Sequence, residues 1–194
     1  MVIDFNAKFI NGIKFKHGGC VYVHKDDYIC LYEHCKGYQD YIEIGSMFGA
    51  SAIIAGYAVT GEVHCIEPFG VKGNPHRKTK GSLVTAENLR GNWKQHHPTG
   101  RLTIHKQKHP PWPDKIRGKM FDVGLIDGDH SEEQVWKDWD GMSKHVRHLI
   151  FFHDVRPVQD DGKNPTNVFH EIIKLPQWEL VEVRGVMGVV RRVK

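Results

Sequence analysis

The chain has no apolar run approaching the roughly 18 residues that a membrane-spanning helix needs, which excludes a helical membrane protein. Its first residues contain no signal-peptide core either, because Asp4, Lys8, Lys14 and Lys16 interrupt them. Cysteine is sparse. Cys20, Cys30, Cys35 and Cys65 show no C-x-x-C spacing, so they read as reduced thiols of a cytoplasmic protein rather than as a disulfide framework. Also missing are the G-x-G-x-x-G fingerprint of dinucleotide folds, the G-x-x-x-x-G-K-[ST] phosphate loop and the G-x-S-x-G nucleophile elbow. There is no internal repeat and no low-complexity tract.

What is present suits a single globular domain. With 194 residues, 40% hydrophobic and 26% charged, the chain can bury most of its apolar surface in one core. The net charge of +4 is unevenly spread: residues 71–119 carry twelve Lys or Arg against Glu87 and Asp114, a balance of +10 that leaves −6 for the rest. Such a block reads in two ways. It is a site for a polyanion such as nucleic acid or a phosphorylated molecule, or it is a solvated loop face.

Strand and helix signals alternate along the chain. In residues 1–25, apolar residues flank Asn11-Gly12 and the strand-like Cys20-Val21-Tyr22-Val23 follows, which predicts an N-terminal β-hairpin extension suited to a sheet edge or to contact between copies of a homo-oligomer. Residues 26–194 form the main domain. Asp26 or Asp27 is placed to cap a helix running to about Lys36. Strands are expected at Tyr41–Ile44, Glu62–Ile66, Arg101–His105, Phe121–Ile126 and His148–Phe152. Helices are expected from Ala50 to Val59, from Thr85 to His96 with Leu89 and Trp93 on one face, after Ser131 with Val135, Trp136, Trp139 and Met142 at helical spacing, and from Pro165 to Lys174. Strands Trp178–Val183 and Val186–Val190 close the chain around Arg184-Gly185. The predicted fold is α/β and doubly wound, a mostly parallel seven-stranded sheet with a terminal antiparallel hairpin.

The stretch from Tyr41 to Ser51 organises the rest. An apolar strand ends in Glu43 and Gly45, a tight turn follows, and an apolar helix begins at Ala50. Ligands of open α/β sheets sit beyond the carboxyl ends of the strands. Gly45 and Gly49 permit a sharp turn and a close backbone approach, and the helix N-terminus after Gly49 offers N–H groups to an anion. The pattern is E-x-G-x-x-x-G-x-S, and the next strand ends in Glu67-Pro68, where a carboxylate can accept both hydroxyls of a ribose. This pair of motifs resembles the S-adenosylmethionine site of class I methyltransferases, in the group of catechol O-methyltransferase and the bacterial macrocin and rhamnosyl O-methyltransferases. The resemblance covers about residues 26–192, including the closing hairpin. It implies Glu43, Gly45, Ser46, Met47, Gly49, Ser51, Glu67, Pro68 and Asp127 as cofactor contacts. Gln107 is the one residue near the place where many such enzymes hold the adenine amine.

Methyl transfer from a sulfonium is an in-line displacement, so the protein must align donor and acceptor and make the acceptor nucleophilic. A divalent cation on the acceptor oxygen lowers its pKa, and an imidazole within reach takes its proton. Candidates for both stand at adjacent strand ends, in Asp127-Gly128-Asp129-His130 and in His153-Asp154. The resemblance implies Mg²⁺ held by Asp127 and by the pair after strand five, which here reads His153-Asp154; a histidine ligand tilts the preference toward Mn²⁺, Fe²⁺ or Zn²⁺. The D-G-D-H form implies His130 as the catalytic base with Asp127 beside it. The expected activity is S-adenosylmethionine-dependent O-methylation of a small sugar or phenolic hydroxyl. The alternatives are a nucleic-acid 2′-hydroxyl or cap methyltransferase using the basic segment, and an S-adenosylmethionine-binding protein without turnover. The chain has no N-P-P-Y, D-P-P-Y or Pro-Cys motif for methylation of bases. A zinc site from His96, His97, His105 and His109 is the weakest reading, since no cysteine lies near them.

Overall fold

A computed structural model describes residues 25–70, 78–79, 82–96, 98–156 and 165–193. The hairpin expected in residues 1–24 and most of the basic loop 71–81 lie outside the described residues. In chain order the elements are α1 (Lys25–Cys35), β1 (Tyr41–Ile44), α2 (Ala50–Ala58), β2 (Glu62–Ile66), β3 (Lys78–Thr79), β4 (Ser82–Leu83), α3 (Ala86–His96), β5 (Arg101–His105), a 3₁₀ turn (Asp114–Ile116), β6 (Phe121–Ile126), α4 (Glu132–His145), β7 (Val146–Phe152), α5 (Pro165–Ile172), β8 (Trp178–Arg184) and β9 (Met187–Arg192). No helix among the described residues is long and apolar enough to cross a membrane.

Seven strands form one sheet in the order β5-β2-β1-β6-β7-β9-β8, and β3 and β4 form a separate two-stranded sheet. The pairings from β5 to β7 are parallel, while β9 runs antiparallel to both β7 and β8, so six strands point one way and one is reversed. The chain starts in the middle at β1, steps outward to β2 and β5, then crosses back to β6 on the other side of β1. That reversal makes a crevice between the carboxyl ends of β1 and β6, where open sheets of this kind bind ligands.

The doubly wound architecture follows from the strands. β1 is buried along its whole length, as a parallel strand covered on both faces must be. Alternation sends Tyr41 to one core, with Tyr28, Leu31, Ile54 and Leu89 from α1, α2 and α3, and sends Ile42 and Ile44 to the other, with Val135, Trp139, Val168 and Phe169 from α4 and α5. Thr85 caps α3: its Oγ1 accepts the Asn88 N–H at 3.1 Å. Three details depart from the sequence reading. β7 starts at Val146, directly after α4, two residues before the expected His148. Trp136 is exposed, because Val135, Trp139 and Met142 already hold the sheet-facing stripe and one residue along a helix turns the side chain by about 100°. Asp26 and Asp27 lie inside α1, and Asp27 is buried.

Candidate active site

The turns at the strand ends are stitched to one another by the same ladder that builds the sheet. Gly45 N–H donates to Ile66 O at 3.0 Å, Asp127 N–H to Ile44 O at 2.9 Å and His153 N–H to Ile126 O at 3.1 Å. Gly45 has φ 94°, and a Cβ there would fall 1.9 Å from the Asp127 carbonyl oxygen. Only glycine lets the turns after β1 and β6 approach so closely. Gly49, also left-handed with φ 87°, caps α2, and the carbonyl of Phe48 before it accepts the buried Asn92 amide at 3.1 Å. Among the described residues, three non-glycines have positive φ, Met47, Phe69 and Asp154, and each follows the end of a parallel strand. Backbone strain of this kind collects at functional rims.

Glu43 and Glu67 have different environments. Glu43 is fully buried, with Tyr41 Oη donating to it at 2.9 Å and Cys65 Sγ at 3.4 Å. Burial pushes its carboxyl up to about 7, against the hydroxyls of Ser46, Ser51 and Tyr41, which pull it down. It braces the turn from beneath. Glu67 is also buried, at the end of β2, and accepts the Met47 N–H at 3.2 Å and the Phe69 N–H at 3.3 Å. Its carboxylate thus ties the β1 turn to the β2 turn, with Pro68 half-buried beside it.

Across the crevice, Asp127, His130, His153 and Asp154 come together. His130 lies between two carboxylates, its Nε2 3.6 Å from Asp127 Oδ1 and its Nδ1 3.2 Å from Asp154 Oδ2. His153 Nδ1 is 3.3 Å from Asp127 Oδ1 and 3.6 Å from Asp154 Oδ2. On its other side, Nε2 is 3.5 Å from Asp27 Oδ2. Burial works against a charged His153, but Asp127, Asp154 and Asp27 outweigh it and push the imidazole up to about 12. Bonding to Asp127 raises His130 as well. In return, burial raises Asp127 less than His153 and His130 lower it, and His153 lowers Asp154. His130 keeps 41% of its side chain exposed, so a proton can leave it for solvent.

One atom each from Asp127, His153 and Asp154 lies within 4.8 Å of the other two, and His153 Nδ1 is buried without a hydrogen-bond partner. Two carboxylate oxygens and the imidazole nitrogen, once His153 has given up the proton that these carboxylates hold on it, are a donor set that fits a divalent cation. Asp27, one of the two acids placed to cap α1, does more than the sequence shows: its Oδ1 accepts the Val186 N–H at 2.8 Å while Oδ2 faces His153. No local signal marks an acid that turns inward from the first turn of a helix.

The remaining candidates lie apart from this group. Gln107 donates its amide to Pro111 O at 2.7 Å, within its own loop. The stiff segment after β5 is clamped to α4. His109 Nδ1 meets Asp138 Oδ1 at 2.8 Å, Gln134 Nε2 donates to His109 O at 2.8 Å, and Trp112 stacks on His145. The four-histidine zinc reading is not borne out among the described residues: His105 pairs with His64 at 3.0 Å, His109 pairs with Asp138, and His97 lies outside the described residues.

Comparison with known proteins agrees with this fold. A methyltransferase-domain family matches residues 42–155, from β1 through the turn that carries His153 and Asp154. An O-methyltransferase from Bacillus cereus, solved with S-adenosylhomocysteine, superposes with a TM-score of 0.64 at 17% identity, covering 92% of this chain and 84% of that one. An O-methyltransferase from Streptomyces achromogenes involved in tomaymycin synthesis, solved with S-adenosylmethionine, gives 0.62 at 15% identity, covering 89% of this chain and 82% of that one. No curated protein sequence matches the chain. The family match spans more than half of the residues and includes both turns of the crevice, so the chain belongs to the methyltransferase-domain family and has the class I S-adenosylmethionine-dependent methyltransferase fold.

Proposed function

We propose that the protein transfers the methyl group of S-adenosylmethionine to a hydroxyl of a small acceptor, with His130 as the base and with a divalent cation held by Asp127, His153 and Asp154. The observation that carries this reading is His130, half-exposed and pinned between Asp127 and Asp154 on the rim next to the Gly45 turn. Its two carboxylate neighbours strengthen it as a proton acceptor, and its exposure leaves room for an acceptor hydroxyl. The donor belongs in the crevice between β1 and β6: its ribose hydroxyls against Glu67, its carboxylate toward the turn Ser46–Gly49 and the N-terminus of α2 at Ser51. Both solved relatives named above are O-methyltransferases, which supports oxygen as the acceptor atom.

The cation, when bound, polarises the acceptor oxygen and lowers its pKa. The nitrogen ligand from His153 favours Mn²⁺ over Mg²⁺. Asp27 orients His153 from behind, as second-layer carboxylates do for metal-bound histidines. The test is calorimetric titration of S-adenosylmethionine with and without Mn²⁺ or Mg²⁺, followed by a screen for S-adenosylhomocysteine formed with sugar and phenolic acceptors. Micromolar donor binding and product formation that EDTA abolishes support the whole reading. Turnover that persists in EDTA removes the cation and leaves His130. Absence of donor binding overturns the proposal.

A further inference from the structure

A second group of ligating side chains sits one turn along α1 from Asp27, outside the crevice. Cys30 and His34, four residues apart, share one face of the helix, and Glu182 reaches them from β8. One ligand atom each from Cys30, His34 and Glu182 lies within 4.8 Å of the other two. Cys30 is fully buried, and its thiol donates to Glu182 Oε1 at 3.6 Å; His34 Nε2 meets the same oxygen. The side chains of His34 and Glu182 are 26% and 27% exposed, which opens a path from solvent to the point where the three atoms converge.

We infer that Cys30, His34 and Glu182 form a binding site for one zinc-type dication, with sulfur, nitrogen and oxygen ligands and a fourth tetrahedral position open to solvent. Three unlike donors directed at one point suit Zn²⁺ or Co²⁺, and the thiolate disfavours Mg²⁺ and Ca²⁺. On binding, the Cys30 thiol releases its proton to solvent and the proton on His34 Nε2 leaves that nitrogen, the neutral ring then carrying its one hydrogen on Nδ1, so the oxygen that accepted both hydrogen bonds becomes a ligand instead. Arg184 stands as the outer layer: its Nε bonds Glu182 Oε2 at 3.2 Å and its Nη1 bonds Glu33 at 2.6 Å. Its Nη2 lies 3.0 Å from Oε1. A hydrogen-bonded carboxylate is held in the orientation a metal needs. Such an ion ties α1 to the outermost strand of the sheet and steadies the helix that presents Asp27.

The experiment uses the full chain stripped with EDTA and titrated with Co²⁺. A thiolate-to-cobalt charge-transfer band in the near ultraviolet, competed away by Zn²⁺, is expected for the unaltered protein. The Asp127→Asn variant should keep the band, because the crevice group contains no sulfur. Cys30→Ser should abolish it. Because Cys30 is fully buried, the half-buried His34→Gln serves as the second variant: it should keep the unaltered circular dichroism spectrum and weaken Co²⁺ binding by at least about tenfold. No band in the unaltered protein, a band that survives Cys30→Ser, or a band of unchanged affinity in His34→Gln overturns the proposal.

Discussion

Gly45 is required by contact as well as by conformation. Any side chain there meets the Asp127 carbonyl at 1.9 Å and must also adopt φ 94°. Gly45→Ala should therefore cost at least about 3 kcal/mol of stability by urea denaturation, since neither turn can retreat without breaking the ladder. Glu43 gives a prediction of the opposite sign. Its carboxyl is raised to about 7, so between an unfolded value near 4.5 and that figure the folded state holds the extra proton, and stability falls as pH rises through the window. Glu43→Gln keeps the shape and removes the charge, and it should stabilise the ligand-free protein at pH 8 by up to about 3 kcal/mol. A melting temperature lower than that of the unaltered protein at pH 8 would contradict this. His130→Gln should lower kcat by about 100-fold or more while the calorimetric affinity for S-adenosylmethionine stays within about threefold, because a base acts on the acceptor and not on the donor.

At the scale of elements, the β2–β5 edge carries its own acid sensitivity. Burial, with His64 and Lys115 nearby, depresses His105 to about 4, and burial depresses His64 as well. Between an unfolded value near 6.5 and pH 4 the unfolded chain binds the additional protons, so stability declines as pH falls through that range. Glu62 takes over below it. Its bonds to Lys119 and His64 lower it to about 2, giving stability that is complete above about 4.5 and is lost as pH falls toward 2. Melting temperatures measured from pH 8 to pH 2 should show both declines. His105→Gln should flatten the upper one and Glu62→Gln the lower; an unchanged profile in either variant would refute the assignment. α1 has a comparable dependence on distant partners. Its Asp27 bonds Val186 and faces His153, so Asp27→Asn should keep the backbone bond and lower the His153 pKa seen by NMR.

At the scale of the molecule, the sheet order makes the crevice, and ligand binding should be felt throughout the fold. Saturating S-adenosylmethionine at a hundredfold excess over Kd adds about 2.7 kcal/mol, or roughly 5–10 °C in Tm for a chain of this length. An unchanged Tm at that excess would count against a preformed donor site. Part of the basic balance of residues 71–119 is met by local partners where it is described: Lys106 pairs with Glu87, Arg101 and Lys119 with Glu62, and Arg117 with Asp114. In those pairs the positive charge is spent on the protein's own acids, which weighs against a continuous anion-binding face there.

Much of this was legible in the residue order, because it rests on local rules. Continuous apolar strands, Gly45 and Gly49 in the turn, Thr85 before α3 and, Trp136 apart, the apolar stripe of α4 depend on near neighbours, and each holds at the expected position or within two residues of it. The motifs at the strand ends likewise bring His130, His153 and Asp154 to one rim once the sheet is parallel. The tertiary structure decided what depends on sequence-distant partners. It turned Asp27 from a candidate cap into a partner of His153, made Gly45 indispensable through the Asp127 carbonyl, clamped His109 onto Asp138, and joined Glu182 to Cys30 and His34 across about 150 residues. Backbone propensity and hydrophobic periodicity act over a few residues, whereas the charge, burial and orphaned donors of a site arise only when the packed sheet brings remote turns within a few ångströms.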